Sequence, residues 1–223
     1  MLFRSFYFMT NLCIINGSPR KEKSGSRYLI SELTKLLNND VKTKEYYISN
    51  LLKDKNLLNE ILSFDKIIFV SPLYADCLPS TMLEFMATFE DFIKGKNNIG
   101  IDMYCIINCG FLEGTQNKTA INILKNYSKR INFNWRFGVG IGGGEFMRGS
   151  KNMPLNSRMK KPVYNSFLAL KKDIENKSND QVDNILTNAK MPKVIFIFAA
   201  NTGWKSMAKK NNLKAKDLYK RIY

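Results

Sequence analysis

Residues 12–26 decide the fold: Leu12-Cys-Ile-Ile15 is a short apolar run, and Asn16-Gly-Ser-Pro-Arg-Lys-Glu-Lys-Ser-Gly-Ser26 follows it directly. The run has the length of a strand, and its continuous apolarity is typical of a strand that is covered on both faces. After the polar loop, leucines recur at helical spacing from Leu29 to Leu37. The stretch therefore predicts a strand, a loop and a helix, the first unit of a parallel α/β sheet.

The same alternation continues along the chain. Further strands are predicted at Lys44–Ile48, Ile67–Val70, Met103–Ile107 and Asn134–Gly140, and further helices at Met82–Phe92, Ile121–Ile131 and Val163–Ile174. Alternating strands and helices indicate a doubly wound, five-stranded parallel sheet with helices on both faces.

The pattern loosens after Gly140. Residues 141–162 contain several glycines and two prolines and predict a long loop, and residues 180–189 predict a helix. The apolar run Val194–Phe198 suits a strand or a buried helix, and we favour a helix because Pro192 precedes it and Gly203 follows it. We predict an N-terminal extension (residues 1–10) that is not a signal peptide, one domain (11–190) and a basic helical C-terminal extension (191–223) packed on that domain.

Composition excludes several classes of protein. With 223 residues and 44% hydrophobic residues, the chain predicts one large globular domain with an appendage. No apolar run approaches the roughly 20 residues that span a bilayer, so no membrane span is expected. The four cysteines form no C-x-x-C pair and predict reduced thiols in a cytoplasmic protein. Histidine is absent, which excludes histidine-based triads and most zinc sites.

Positive charge is concentrated in the second half of the chain. The net charge is +16, and residues 101–223 carry 22 Lys or Arg against 8 Asp or Glu. Such a field attracts nucleotide cofactors, nucleic acids or acidic lipid surfaces. The alternative is a set of solvated lysine-rich faces without a specific partner.

The loop at residues 17–26 combines several groups that bind phosphate. Ser18, Ser24 and Ser26 supply hydroxyls, Arg20 supplies a planar cation, and the start of the next helix supplies unpaired N–H groups. The loop is not a Walker A motif, because Glu22 stands where the second glycine belongs. The alternative interpretation is an ordinary strand-to-helix loop with a serine cap.

Three segments together resemble the NADPH-dependent FMN reductase family. The residues Asn16-Gly-Ser-Pro-Arg20, with Ser24-Gly-Ser26 after them, resemble the flavin phosphate loop of that family. The segment Ser71-Pro-Leu-Tyr-Ala-Asp-Cys-Leu-Pro79 is similar to the one that runs beneath the isoalloxazine ring. Asn108-Cys-Gly-Phe-Leu-Glu-Gly114 is similar to the family's other flavin-contacting loop. The resemblance covers about residues 10–140.

The resemblance implies a flavodoxin-like fold that holds FMN at three loops. The implied cofactor-binding residues are Ser18, Arg20, Ser24, Gly25, Ser26, Pro72, Leu73, Tyr74, Cys109, Gly110 and Phe111. No side chain is assigned as a catalytic acid or base, and no metal is expected. Plain packing under a loop is the alternative for Tyr74 and Phe111. Cys109 is interpreted as a buried small residue, and the isolated Cys77 does not suffice for an iron–sulfur cluster.

The implied function is an NAD(P)H-dependent oxidoreductase. A hydride passes from NADPH or NADH to FMN and on to a small-molecule electron acceptor, and the family implies a homodimer. Two alternatives stay open: a flavodoxin-like electron carrier that NAD(P)H does not reduce, and a basic module that binds nucleic acid or an anionic surface. No specific nucleic acid is expected. Gly138–Gly143 matches the dinucleotide motif G-x-G-x-x-G, but no helix is predicted directly after it and no acidic residue follows about 20 positions on, so we discount it. A smaller role stays open for Gly142–Gly144, as a flexible wall beside the flavin where nicotinamide or substrate enters.

Overall fold

A computed structural model describes residues 9–96, 100–176 and 182–220. The chain forms two compact units, one that ends at residue 189 and one that begins at residue 190. Most of the predicted N-terminal extension, residues 1–8, lies outside the described residues.

The first unit contains a sheet of six parallel strands in the order β2-β1-β3-β4-β5-β6. The strands are β1 Thr10–Asn16, β2 Val41–Tyr47, β3 Lys66–Pro72, β4 Asp102–Asn108, β5 Asn134–Gly142 and β6 Ile185–Asn188. The five predicted strands are confirmed as β1 to β5, but the prediction of a five-stranded sheet is wrong by one strand.

The sixth strand replaces part of a predicted helix. Residues 180 and 181 of that helix lie outside the described residues, while Ile185–Asn188 pairs with the outer edge of β5. Asn184 directs its Oδ1 to the Gly138 N–H at 2.8 Å and so sets the start of the pairing. The helix preference of four residues is small, and the backbone hydrogen bonds that the open edge of β5 offers outweigh it.

Helices cover both faces of the sheet, as predicted. They are α1 Gly25–Leu36, α2 Ile48–Leu51, α3 Lys55–Ile61, α4 Ser80–Ile93, α5 Lys118–Arg130, α6 Gly144–Gly149 and α7 Lys161–Glu175. The second unit contains α8 Lys193–Lys210. One apolar cluster lies between the sheet and α2 to α5, and a second lies between the sheet and α1, α6 and α7. The sheet is therefore buried on both faces, as the continuous apolar runs predict.

The second half of the chain contains two helices, α6 and α8, that bear on the predictions. The predicted loop at residues 141–162 contains α6, so the expectation that no helix follows the glycines of β5 is wrong. The helix was not predicted because the glycines at residues 142–144 have low helix propensity. The apolar run Val194–Phe198 lies in α8, so the favoured helix is confirmed. The expectation that it is buried is wrong, because Val194 and Phe198 are 78% and 72% exposed. Among the described helices, none combines the length and apolarity needed to cross a membrane.

Candidate functional site

Three loops meet where β1, β3 and β4 end, and they form a narrow cleft. These neighbouring strands are parallel, so the loops that follow them emerge at one edge of the sheet. The cleft is lined by Ser18, Arg20, Ser24, Gly25, Pro72, Leu73, Tyr74, Asn108, Cys109, Gly110, Gly144 and Glu145. Nine of the eleven predicted site residues line the cleft. The other two do not: Ser26 is fully buried beneath it, and Phe111 lies on the surface with 54% of its area exposed.

The loop after β1 is held in shape by its own serines. The Ser24 Oγ caps α1 by accepting from the Arg27 N–H at 3.0 Å, and it donates to the Lys21 carbonyl at 2.6 Å. The Gly25 and Ser26 N–H groups have no hydrogen-bond partner among the described residues. They stand at the positive end of a 12-residue helix, where an anion is stabilised.

Two asparagines that the sequence interpretation missed fix the loops from below. Asn16 accepts from the Ser18 N–H at 3.1 Å and so sets the start of the first loop. The Asn108 Nδ2 donates to the Ser26 Oγ at 3.2 Å and to the Ser71 carbonyl at 3.1 Å. Each asparagine is the last residue of its strand. That position, a polar residue directly after a buried apolar run, is the signal that could have found them.

The loop after β3 presents Tyr74 at the rim of the cleft. Tyr74 and Cys77 exchange backbone hydrogen bonds of 2.8 and 3.0 Å across a tight turn. The two residues between them, Ala75 and Asp76, have φ values of 47° and 60°. This left-handed geometry costs free energy in residues other than glycine, and it turns the chain sharply. Tyr74 is 42% exposed, so its ring is accessible to a ligand.

The segment after β5 closes the fourth side of the cleft with Gly144 and Glu145. Gly144 belongs to the stretch that the sequence suggested as a wall of the site, whereas Glu145 was not predicted. The Gly144 N–H donates to the Cys109 carbonyl at 2.8 Å. A Cβ at Gly144 would approach that oxygen and the Asn108 Oδ1 to 3.0 Å, a contact that requires these atoms to shift slightly. Glu145 follows and faces Arg20 across the cleft at 3.5 Å. The cleft is thus narrowed by an ion pair between two exposed side chains.

Cys109 has the environment of a packed thiol. Its Sγ accepts from the Asn117 Nδ2 at 3.5 Å, and burial raises its pKa. A thiol with a raised pKa is a poor nucleophile at neutral pH, which agrees with its interpretation as a small buried residue. Within the described ranges, no group of three or more Cys, Asp or Glu side chains could hold a metal ion.

One end of the cleft suits an anion. Arg20 and the free Gly25 N–H form this anion-binding end. A Cβ at Gly110 would meet nothing within 4 Å, so space is open beside this loop for a flat ring. Tyr74 offers an aromatic face at the same end. The chemistry of these residues, an anion-binding end and an aromatic rim, suits the phosphate and the ring of FMN.

Comparisons with known proteins give structural matches only. No family model matches the chain, and no curated protein matches its sequence. An NADPH-quinone reductase from P. pentosaceus has 13% identity and a TM-score of 0.52, with 77% of this chain and 100% of that one covered. An NAD(P)H:quinone oxidoreductase from Methanothermobacter marburgensis has 14% identity and a TM-score of 0.52, with 77% and 98% covered. The Trp repressor binding protein from Bacillus subtilis has 15% identity and a TM-score of 0.50, with 59% and 84% covered.

The structural matches and the strand order indicate the same fold. The fold is flavodoxin-like. The first five strands follow the order 2-1-3-4-5 of that fold, and β6 extends it by one strand. In a flavodoxin-like sheet the strand order reverses between β1 and β3, and ligands bind in the crevice at that point. The cleft described above lies there.

Proposed function

We propose that the protein binds FMN and is an NAD(P)H-dependent oxidoreductase. The observation that carries the proposal is the cleft at the reversal of strand order, with the free Gly25 N–H and the Arg20 guanidinium at one end. This end of the cleft suits a doubly negative phosphate. The other end, an open loop with an aromatic rim, suits a flavin ring.

The structural neighbours support the same class of chemistry. Two of them with TM-scores of 0.52 carry the names NADPH-quinone reductase and NAD(P)H:quinone oxidoreductase. We extend the proposal on this basis to NADPH or NADH as the electron donor and to a small molecule of quinone type as the acceptor. The homodimer implied by the sequence resemblance stays part of the proposal. So does a cytoplasmic location, which the four free cysteines favour.

Positioning is the contribution of this chain to the reaction. When bound, FMN supplies the hydride-accepting ring and passes electrons to the second substrate. Arg20 and the Gly25 N–H would hold the phosphate, and Tyr74 and the Gly110 backbone would lie beside the ring. Histidine is absent from the sequence, and the carboxylate in the cleft, Glu145, is engaged with Arg20 and Arg148. We therefore assign no acid or base on the chain, and alignment of the donor with the ring accounts for the rate.

The decisive experiment measures FMN binding and its reduction. Purified protein reconstituted with FMN should be yellow, and anaerobic addition of NADPH or NADH should bleach the flavin absorbance. Arg20→Ala should weaken FMN binding at least tenfold but riboflavin binding by less than twofold, because a charge-assisted hydrogen bond to phosphate is worth about 1.5–3 kcal/mol. Lys55→Ala, an exposed cation on α3, is the matched control.

The outcomes separate the competing functions. A yellow protein that neither NADPH nor NADH reduces would be a flavodoxin-like electron carrier, and the proposed enzyme would be wrong. Equal losses of FMN and riboflavin in Arg20→Ala would show that this loop does not hold the phosphate. A protein that stays colourless after incubation with FMN would contradict the proposal entirely.

A further inference from the structure

A second concavity adjoins the proposed FMN cleft, and Ser24 lines both. This groove, which we call the α1 groove, has a volume of about 830 Å³. One wall is the exposed side of α1 with the residues just before it, and the other is the segment that begins at the end of α6. The lining residues are Glu22, Lys23, Ser24, Arg27, Tyr28, Ser31, Glu32, Lys35, Arg148, Gly149, Lys151 and Asn152.

The two walls are tied together by one buried side chain. Lys160 is fully buried, and its Nζ donates to the Tyr28 Oη of the first wall at 3.0 Å. It also donates to the Ser150 and Met153 carbonyls, at 2.6 and 3.0 Å, in the segment that carries the second wall. Three acceptors satisfy the three N–H groups of the ammonium. The α1 groove is therefore a preformed feature held by buried hydrogen bonds.

The lining of the α1 groove is basic, and two of its cations are unpaired. Five Lys or Arg side chains face two Glu side chains, and both Glu residues already pair within the chain, Glu22 with Arg27 and Glu32 with Lys35. Lys23 and Lys151 have no carboxylate within 4.0 Å in the described part of the chain. Two unpaired ammonium groups that line one preformed groove favour a ligand that carries a phosphate group.

The dimensions of the α1 groove fit one nucleotide. It follows α1 from Ser24 to Lys35, which at about 1.5 Å per residue is a length of roughly 16 Å. Arg148 stands at the junction with the cleft, because its guanidinium donates to the Lys23 carbonyl at 3.2 Å and to Glu145 at 2.7 Å. The buried Arg148 Nε has no hydrogen-bond acceptor among the described residues. A ligand that leaves the cleft at its phosphate end enters the α1 groove past this donor.

We propose that the α1 groove binds the adenosine half of NADPH and that Lys23 and Lys151 contact its 2′-phosphate. The inference rests on the proposed function, because it places the nicotinamide half at the FMN cleft. Only the 2′-phosphate distinguishes NADPH from NADH, so two unpaired lysines at this end of the dinucleotide make the protein selective for NADPH. This assigns the α1 groove as the determinant of donor specificity.

The first test is direct binding and needs no flavin. Titration calorimetry with 2′,5′-ADP and with 5′-AMP should show at least tenfold tighter binding of 2′,5′-ADP. In the double variant Lys23→Ala/Lys151→Ala this preference should be lost. Both lysines are exposed, so the variant should retain its fold. Lys42→Ala/Lys55→Ala, which removes two exposed lysines elsewhere, is the matched control and should behave as the unmodified protein.

The second test is kinetic. In the FMN-loaded protein, Lys23→Ala/Lys151→Ala should raise KM for NADPH about tenfold and change KM for NADH less than twofold. Equal affinities for the two probes, or an unchanged preference in the double variant, would overturn the inference. Its failure is distinguishable from failure of the proposed function. If only the inference fails, NAD(P)H still reduces the flavin. If only the proposed function fails, the protein binds 2′,5′-ADP through the two lysines but FMN is not reduced.

Discussion

Asn108 connects three parts of the cleft through one side chain. Its Nδ2 binds the first turn of α1 and the end of β3, and its Oδ1 lies against Gly144 at the start of α6. Asn108→Ala removes two buried hydrogen bonds, so we expect a loss of about 1–3 kcal/mol in the free energy of unfolding and about tenfold weaker FMN binding, measured by flavin fluorescence. Asn134→Ala, at the opposite end of the sheet, is the control and should leave FMN affinity unchanged.

A buried charge network at the other end of the sheet sets the acid stability. The Arg136 guanidinium contacts both carboxylate oxygens of Asp173 at 2.9 and 2.7 Å, and the Tyr104 hydroxyl donates to the same carboxylate at 2.7 Å. Burial by itself would raise the pKa of Asp173. The hydrogen bonds from Arg136 and Tyr104 and the charges of Arg136 and Lys66 outweigh burial and hold the pKa below its ordinary value.

This network predicts a specific pH dependence. Because the folded pKa of Asp173 lies below the unfolded value of about 3.9, its stabilisation is present above that pH and is lost as the pH falls through the folded pKa. Asp173→Asn should cost about 1–3 kcal/mol at neutral pH, since the hydrogen bonds from Arg136 and Tyr104 lose a charged acceptor. Urea unfolding at a series of pH values measures both effects. Asp40→Asn, an exposed carboxylate, should reproduce the unmodified curve, and a curve for Asp173→Asn as steep in acid as that of the unmodified protein would contradict this account.

Single residues show how far the cleft can be predicted from the sequence. Arg20 could be assigned from the polar loop after an apolar strand, and Tyr74 and Gly110 from the resemblance of their segments to a known family. Gly144 could be suggested only as part of a flexible wall and Glu145 not at all, because both lie more than 30 positions beyond the nearest predicted site residue. Their place in the cleft depends on pairing between the segment after β5 and the loop after β4, which no local pattern encodes.

At the scale of the elements, the end of β5 packs closely against the loop after β4. A Cβ at Gly142 would lie 2.2 Å from the Leu112 carbonyl oxygen and 2.6 Å from the Gly114 backbone nitrogen. Gly142→Ala must therefore push β5 away from the loop after β4. We expect a loss of about 1–3 kcal/mol in stability and weaker FMN binding, measured by thermal unfolding and flavin fluorescence.

Gly149, at the end of α6, is the matched control for Gly142. A Cβ there meets nothing within 4 Å, so Gly149→Ala should leave stability and FMN affinity near those of the unmodified protein. Equal behaviour of the two variants would show that the close approach at Gly142 does not shape the cleft.

The elements differ in how strongly the sequence specifies them. The central strands β1, β3 and β4 are fully buried apolar runs, and the sequence identifies them without reference to the rest of the chain. In contrast, β6 has only two apolar residues, and α6 contains glycine at both ends. These two elements form because β5 and the loop after β4 supply backbone partners, so tertiary contacts override weak local preference.

At the scale of the whole molecule, the charge distribution predicts weak nucleic-acid binding. Residues 190–223 carry nine Lys or Arg and one acid, Asp217. We expect sequence-independent DNA or RNA binding that decreases steeply with salt, because the affinity comes from counterion release. Fluorescence anisotropy at several salt concentrations measures it. Oxidoreductase activity should persist in salt that abolishes this binding, whereas tight, sequence-selective binding at about 150 mM salt would favour a nucleic-acid function.

The two outer strands of the sheet also limit how copies of the protein can associate. At one border β2 exposes Lys42 and Lys44, and at the other β6 offers only four residues. Lysine side chains and short border strands both prevent a sheet from continuing into a neighbouring molecule. Concentrated protein should therefore resist fibril formation, and contacts between copies should involve helices rather than added strands.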